Sequence, residues 1–114
     1  MGCMSDVPQV PVAQVPTAFD ARTVLLDVRE DDEWQRGHAA GARHIPMGQV
    51  PDRLAELDPA ATHYLICHAG GRSLRVATYL AQQGYRAINV DGGMLAWAGA
   101  GRPVVTDDGT PGTV

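Results

Sequence analysis

The sequence contains no lysine, and this absence limits the partners that the protein can recognise. All nine basic residues are arginine, they are scattered along the 114 residues, and the formal net charge is −4. A nucleic-acid-binding surface needs clustered positive charge. The composition therefore argues against binding to DNA or RNA.

Long apolar runs and leader-like segments are also missing. No apolar stretch approaches the roughly 18 residues that a membrane helix requires. The first residues contain neither the charged segment nor the apolar segment of a signal peptide. Asp6 stands where a myristoylation signal carries Ser or Thr. We therefore expect a cytoplasmic protein without membrane association.

Cysteine is scarce, since the chain has only Cys3 and Cys67. Two cysteines do not make a disulfide framework, so we expect free thiols in a reducing compartment. His38 and His44 are six residues apart, which is not a standard ligand spacing, and no Cys-x-x-Cys pair occurs. The sequence predicts no metal and no organic cofactor.

Apolar segments of strand length alternate with amphipathic segments of helix length. We predict strands at 23–28, 63–67 and 86–90, with an extended piece at 42–48 and a short edge strand around 9–15. We predict helices at 50–57, 73–84 and 92–101. Strands that are apolar throughout and separated by helices are typical of a parallel sheet covered on both faces. The predicted fold is an α/β domain with a central parallel sheet of four to five strands.

A chain of this length suits a single domain, and roughly 65% of its unfolded surface can be buried on folding. We expect one domain over residues 1–114, with a core of about 17–103. Residues 1–10 and 104–114 are expected to be flexible tails, because residues 1–17 carry three spaced prolines and the last segment is polar.

The segment that follows the second predicted strand has the composition of a reactive loop. Gly70 and Gly71 permit a tight turn with positive φ, and Ser73 opens the longest predicted helix. Such a turn directs several backbone N–H groups, and the helix dipole, towards one point. Cys67 begins this turn and Arg72 adds a permanent charge, so we expect a thiol with a lowered pKa and nucleophilic character.

This loop resembles that of the rhodanese family, in which a cysteine is followed by a glycine three residues on, an arginine five on and Ser or Ala six on. Cys67, Gly70, Arg72 and Ser73 match that pattern. Three further stretches resemble family motifs: "LLDVREDDEW", "GHAAGARHIP" and "NVDGGMLAW". The four motifs stand in the family order and extend from about residue 23 to residue 103.

The resemblance implies a single-domain sulfurtransferase, and we expect a monomer because the chain is small and has no exposed apolar helix. Cys67 would take the outer sulfur of thiosulfate or a related persulfide donor, hold it as a persulfide, and pass it to a thiol acceptor such as thioredoxin or a low-molecular-weight thiol. The residues implied to bind the substrate form the loop itself: His68, Ala69, Gly70, Gly71, Arg72 and Ser73. Many thiosulfate-using members carry arginine directly after the cysteine. In this chain that position is His68, which provides a weaker positive field for binding an anionic donor.

Two other functions remain open. Cysteine-dependent phosphatases and arsenate reductases share the cysteine-to-arginine loop, but they place five residues between the two where this chain has four, which closes a narrower cup. The second of these alternatives is a non-catalytic rhodanese-like binding module that retains the loop.

Several other polar and aromatic residues receive structural interpretations. In parallel sheets ligands bind beyond the carboxyl ends of the strands, which places the loops at 27–30, 67–73 and 91–94 on one common rim. We expect Asp27 and Arg29 to form an ion pair at this rim, and His38 to hydrogen-bond neighbouring backbone. Trp34 and Trp97 are expected to pack in the core or at the rim, and His63 is expected to lie at the surface. Cys3 offers only a weakly positioned second thiol.

Overall fold

The strands of residues 7–114, the part of the chain that this computed structural model describes, form two sheets. The larger sheet contains β1 (Gln9–Val10), β2 (Thr23–Asp27), β4 (Arg43–His44), β5 (Thr62–Ile66) and β6 (Arg86–Val90). Its strand order is β1-β6-β5-β2-β4, and all of its pairs are parallel. A small antiparallel pair joins β3 (His38–Ala39) to β7 (Val104–Val105). The predicted parallel sheet is confirmed, with five strands.

Three α-helices connect these strands, namely α1 (Asp31–Arg36), α2 (Gly71–Gln82) and α3 (Gly93–Gly99). Segments of 3₁₀ helix occur at Val12–Gln14, Met47–Gln49 and Pro51–Glu56. A capping box starts α1, since the side chains of Glu30 and Glu33 each accept a hydrogen bond from the other residue's amide. Among residues 7–114, no helix has both the length and the hydrophobicity to cross a bilayer.

The core lies on both faces of the sheet because successive side chains of a strand point in opposite directions. In β2, Val24 and Leu26 pack with the cluster that includes Leu80 of α2, whereas Leu25 packs with the cluster that includes Trp97 of α3. The two clusters confirm the prediction that helices cover both faces. Trp97 is buried, as predicted.

The prediction for His63 is wrong. This residue lies inside β5, which is the central strand between β6 and β2, and its side chain is fully buried. Its Nδ1 lies 3.2 Å from the carbonyl oxygen of Arg86, its ring meets Tyr85 edge-on, and its Nε2 has no partner among the described residues. Burial lowers the pKa of His63, so the side chain is held neutral.

The C-terminal segment lies against α1 and β3. Val104 and Val105 pair with β3, and the amide of Thr113 donates to the carbonyl of Arg36 at the end of α1. Gly112 fits this contact because a Cβ there would collide with Gly37. Residues 104–114 therefore make specific hydrogen bonds to α1 and β3. The extent of the domain and the flexibility of its ends stay predictions, and Cys3 lies outside the described residues.

Parallel strands place the loops that follow β2, β5 and β6 at one edge of the sheet. These loops begin at Val28, Cys67 and Asp91, and they are the ones that the sequence assigned to a common rim. The fold thereby brings the cysteine next to the starts of α1, α2 and α3.

Candidate active site

Cys67 is the first residue after β5, and its side chain is buried with only 2% of the residue exposed. It lies at the start of residues 67–73, which we call the Cys67 loop. Within this loop Ala69 and Gly71 are exposed and His68 is half-buried. The sulfur therefore lies beneath the loop and is not displayed on the surface, so a reaction partner must reach it with a small terminal group.

The loop turns donors towards the sulfur. The amide of Gly70 donates a hydrogen bond to Cys67 Sγ at 3.1 Å, and Ser73 Oγ lies 3.3 Å from the same atom. Gly70 has a φ of 110°, a conformation that side chains rarely adopt, and it is the N-cap of α2. A glycine at this position is thus what allows the chain to bend its amide back onto the sulfur.

These contacts set the acidity of the thiol. Burial is the largest single influence and raises the pKa of Cys67, but the Ser73 hydroxyl and the amides of Ser73, Gly70 and Ala69 together lower the pKa below its ordinary value. The expected lowering is confirmed in direction. Of the predicted loop residues, Ala69, Gly70 and Ser73 donate hydrogen bonds to the sulfur.

A buried polar network supports Ser73 from below. Ser73 Oγ lies 2.6 Å from Asn89 Oδ1, and the amide nitrogen of Asn89 donates to the Gly70 carbonyl at 3.2 Å and to Gln9 Oε1 at 3.1 Å. Asn89 is in β6 and is 1% exposed. Asn89 was not singled out from sequence, although an amide between the apolar residues Ile88 and Val90 was a signal that something nearby needs hydrogen bonds.

The start of α3 holds the other side of the loop. The amides of Met94 and Leu95 donate to the carbonyl oxygens of Cys67 and His68, at 2.7 Å and 3.0 Å. Gly93 permits this approach, because its φ is 56° and a Cβ there would collide with the Cys67 carbonyl. The final glycine motif of the sequence thus fixes the backbone of the cysteine.

Arg72 forms an ion pair that was not predicted from the sequence. Its Nη1 and Nη2 donate to Glu33 Oε1 and Oε2 at 2.7 Å and 2.9 Å, which is a bidentate ion pair between α2 and α1. The hydrogen bond from Arg72 is the main cause that lowers the pKa of Glu33 to about 2. Glu33 was not singled out from sequence, where it is one of several acidic residues in α1.

The rim below α1 is held by a second ion pair, which confirms the prediction for Asp27 and Arg29. Arg29 Nη2 lies 2.8 Å from Asp27 Oδ2, and the two side chains are 1% and 0% exposed. The same guanidinium donates to the Gly37 carbonyl at 2.7 Å, and His44 Nε2 donates to the Arg29 carbonyl at 2.7 Å. This buried pair anchors the rim.

His38 hydrogen-bonds neighbouring backbone, as predicted, and it also stacks on Trp34. The His38 Nδ1 donates to the Trp34 carbonyl at 3.0 Å, and the two rings stack with centroids 3.5 Å apart. His44 stacks on the other side of Trp34 at 4.7 Å. The described residues contain no cluster of three or more side chains suited to a metal ion.

Comparison with known proteins places this geometry in a family. The family model for the rhodanese-like domain matches residues 12–100. The Bacillus subtilis protein YtwF, which is provisionally named a sulfurtransferase, is 43% identical over 84 residues, covering 74% of this chain and 82% of its own. The protein named thiosulfate sulfurtransferase GlpE from Stutzerimonas stutzeri is 30% identical over 95 residues, covering 82% and 87%.

A crystal structure of a rhodanese-like domain protein from Staphylococcus aureus superposes with a TM-score of 0.71 at 32% sequence identity, and the match covers 80% of this chain and 91% of that one. A crystal structure of a protein from Staphylococcus saprophyticus superposes with a TM-score of 0.71 at 39% sequence identity, and the match covers 77% of this chain and 90% of that one. Sequence and backbone comparisons therefore agree on the family.

Proposed function

Because the chain belongs to the rhodanese family, whose named relatives are sulfurtransferases, we propose that it transfers a sulfane sulfur from thiosulfate or a related donor to a thiophilic acceptor through a persulfide on Cys67. The observation that carries the proposal is the pair of donors, the Gly70 amide and the Ser73 hydroxyl, that converge on one buried sulfur. Such convergence stabilises a thiolate or a persulfide anion.

In the first half-reaction the Cys67 thiolate attacks the outer sulfur of the donor. A new S–S bond forms, the S–S bond inside the donor breaks, and the electron pair leaves with the remainder of the donor. Thiosulfate releases sulfite, and an alkyl persulfide in its protonated form releases a thiolate that takes up the proton. Charge and oxidation state balance without any further oxidant.

In the second half-reaction an acceptor thiolate attacks the terminal sulfur of the persulfide. The acceptor becomes a persulfide, and Cys67 returns as a thiolate. Small thiols are the natural acceptors for a sulfur buried to this extent; thioredoxin would have to present its cysteine on a protruding segment. Cyanide serves as an acceptor in an assay.

The proposed substrate-binding residues are the rest of the loop, His68, Ala69, Gly70, Gly71, Arg72 and Ser73. Their proposed parts differ. Ala69, Gly70 and Ser73 stabilise the sulfur itself. His68 and Gly71 border the approach to it, and Arg72 projects from the first turn of α2 towards α1.

Intact-mass spectrometry of the full chain after exposure to thiosulfate, and separately to glutathione persulfide, tests the proposal. We expect the mass of one sulfur atom to be added, the addition to be lost in Cys67→Ser, and the addition to persist in Cys3→Ser. No adduct with either donor contradicts the proposal. Turnover of an aryl phosphate or arsenate by the same sample, without an adduct, would favour phosphatase or arsenate-reductase chemistry, and absence of all three activities would favour a binding module.

A further inference from the structure

Arg72 is the permanent cation of the Cys67 loop, and it is already engaged. Both of its terminal nitrogens bind the Glu33 carboxylate, and the two side chains are only 32% and 19% exposed. Because the pair is bidentate and partly shielded from water, the two groups act as one neutral unit with a fixed orientation. Arg72 retains its Nε–H outside the pair, so it can still donate a hydrogen bond, but its charge is compensated.

Other arginines near the rim do not replace that charge. Arg29 is 1% exposed and bound to Asp27. Arg75 is exposed one turn further along α2 and lines a separate groove with Met47 and Tyr79. Because the pKa of Glu33 is about 2, its carboxylate stays ionised and neutralises the charge of Arg72 throughout the neutral pH range.

Burial of the sulfur makes this compensation important. A donor must bring its sulfane sulfur to an atom in a residue that is 2% exposed, so the groups bonded to that sulfur lose much of their water. In thiosulfate the neighbouring group is an anionic sulfonate, whereas in an alkyl persulfide it is a carbon-bound sulfur. Desolvating an anion is costly unless a cation balances it.

We propose that this site prefers thiol-derived persulfides, in which no anionic group adjoins the transferred sulfur, over thiosulfate, and that the Glu33 carboxylate sets this preference by neutralising Arg72. The inference rests on the proposed sulfur transfer and narrows its donor class. It also assigns Glu33 as a specificity-determining residue that acts through Arg72 and does not itself touch the donor.

The test measures the rate constant for loading sulfur onto the wild-type chain and onto two variants, by intact mass over time. The donors are thiosulfate and the persulfide of 2-mercaptoethanol, whose carbon chain is uncharged. Glu33→Gln keeps the size of the side chain and can still accept the capping hydrogen bond from the Glu30 amide. Asp32→Asn is the matched control, since it makes the same change of charge in the same helix at a side chain that is 75% exposed and pairs with Arg36 instead.

We compare the ratio of the thiosulfate rate constant to the persulfide rate constant, because each donor's intrinsic reactivity cancels between proteins. Glu33→Gln should raise this ratio about tenfold, since it leaves Arg72 as an uncompensated cation facing a dianion. Asp32→Asn should change the ratio by less than about twofold, because an exposed charge is screened. Rising ionic strength should slow thiosulfate loading in Glu33→Gln more than in the wild type.

Three results would overturn the inference while leaving sulfur transfer intact. The first is a ratio that is unchanged or lower in Glu33→Gln, and the second is an equal increase in Asp32→Asn. The third is a wild-type chain that takes sulfur from thiosulfate as fast as from the persulfide. Failure of both donors to load the wild-type chain, when the same donors load a free thiol under the same conditions, would instead contradict the proposed function.

Discussion

The hydroxyl of Ser73 has one hydrogen and three acceptors within reach. Asn89 Oδ1 is at 2.6 Å, while Cys67 Sγ and the Gly70 carbonyl are each at 3.3 Å. The short contact to Asn89 suits the neutral thiol. When the sulfur ionises, its charge attracts the hydrogen, and Ser73 can rotate its O–H to the thiolate without moving its oxygen.

Removing this hydroxyl should therefore make Cys67 a weaker acid. Hydrogen bonds to charged groups contribute roughly 1.5–3 kcal/mol, and a 3.3 Å contact belongs at the low end, at about 1.5 kcal/mol. Ser73 is fully buried, so bulk water does not replace the lost donor. Loss of about 1.5 kcal/mol corresponds to about a tenfold lower ratio of thiolate to thiol at a given pH.

The assay is the rate of alkylation of Cys67 by iodoacetamide as a function of pH, measured in Ser73→Ala and in the wild type. We expect the midpoint of the profile to move to higher pH in Ser73→Ala, and the rate at pH values below both midpoints to fall about tenfold. Thr78→Val is the matched control, because it removes a hydroxyl from the same helix that donates to the Leu74 carbonyl and not to the sulfur. Superimposable profiles for Ser73→Ala and the wild type would refute the reasoning, as would an equal displacement in Thr78→Val.

Two further predictions concern stability. Asp27→Asn leaves the buried guanidinium of Arg29 without its counter-charge, and urea unfolding should show a loss of about 3–5 kcal/mol; a loss below 1 kcal/mol would mean that the pair is not buried in solution. For His63, burial lowers the pKa from its ordinary value of 6.5, so below that pH the unfolded chain binds a proton that the native one does not, and stability should fall as the pH drops towards 5. His63→Phe should flatten that fall, and an unchanged pH dependence in this variant would contradict the assignment.

The parts of the fold that were predictable from sequence depend on local patterns. Apolar runs of five or six residues located β2, β5 and β6 to within one residue at each end. The glycines after Cys67 indicated a turn with positive φ, which Gly70 adopts. Side-chain alternation in strands and the conformational freedom of glycine require no knowledge of distant residues, and this is why these features were accessible.

The sequence by itself thus determined a parallel sheet, a rim at its carboxyl edge and a thiol at the start of a tight loop on that rim. Only the tertiary structure decided what surrounds the thiol. Glu33 reaches Arg72 across 39 positions of the chain, and Asn89 reaches Ser73 across 16. The central place of β5 buries His63. Contacts of this kind depend on which elements the sheet order makes neighbours, and no local pattern of residues contains that information.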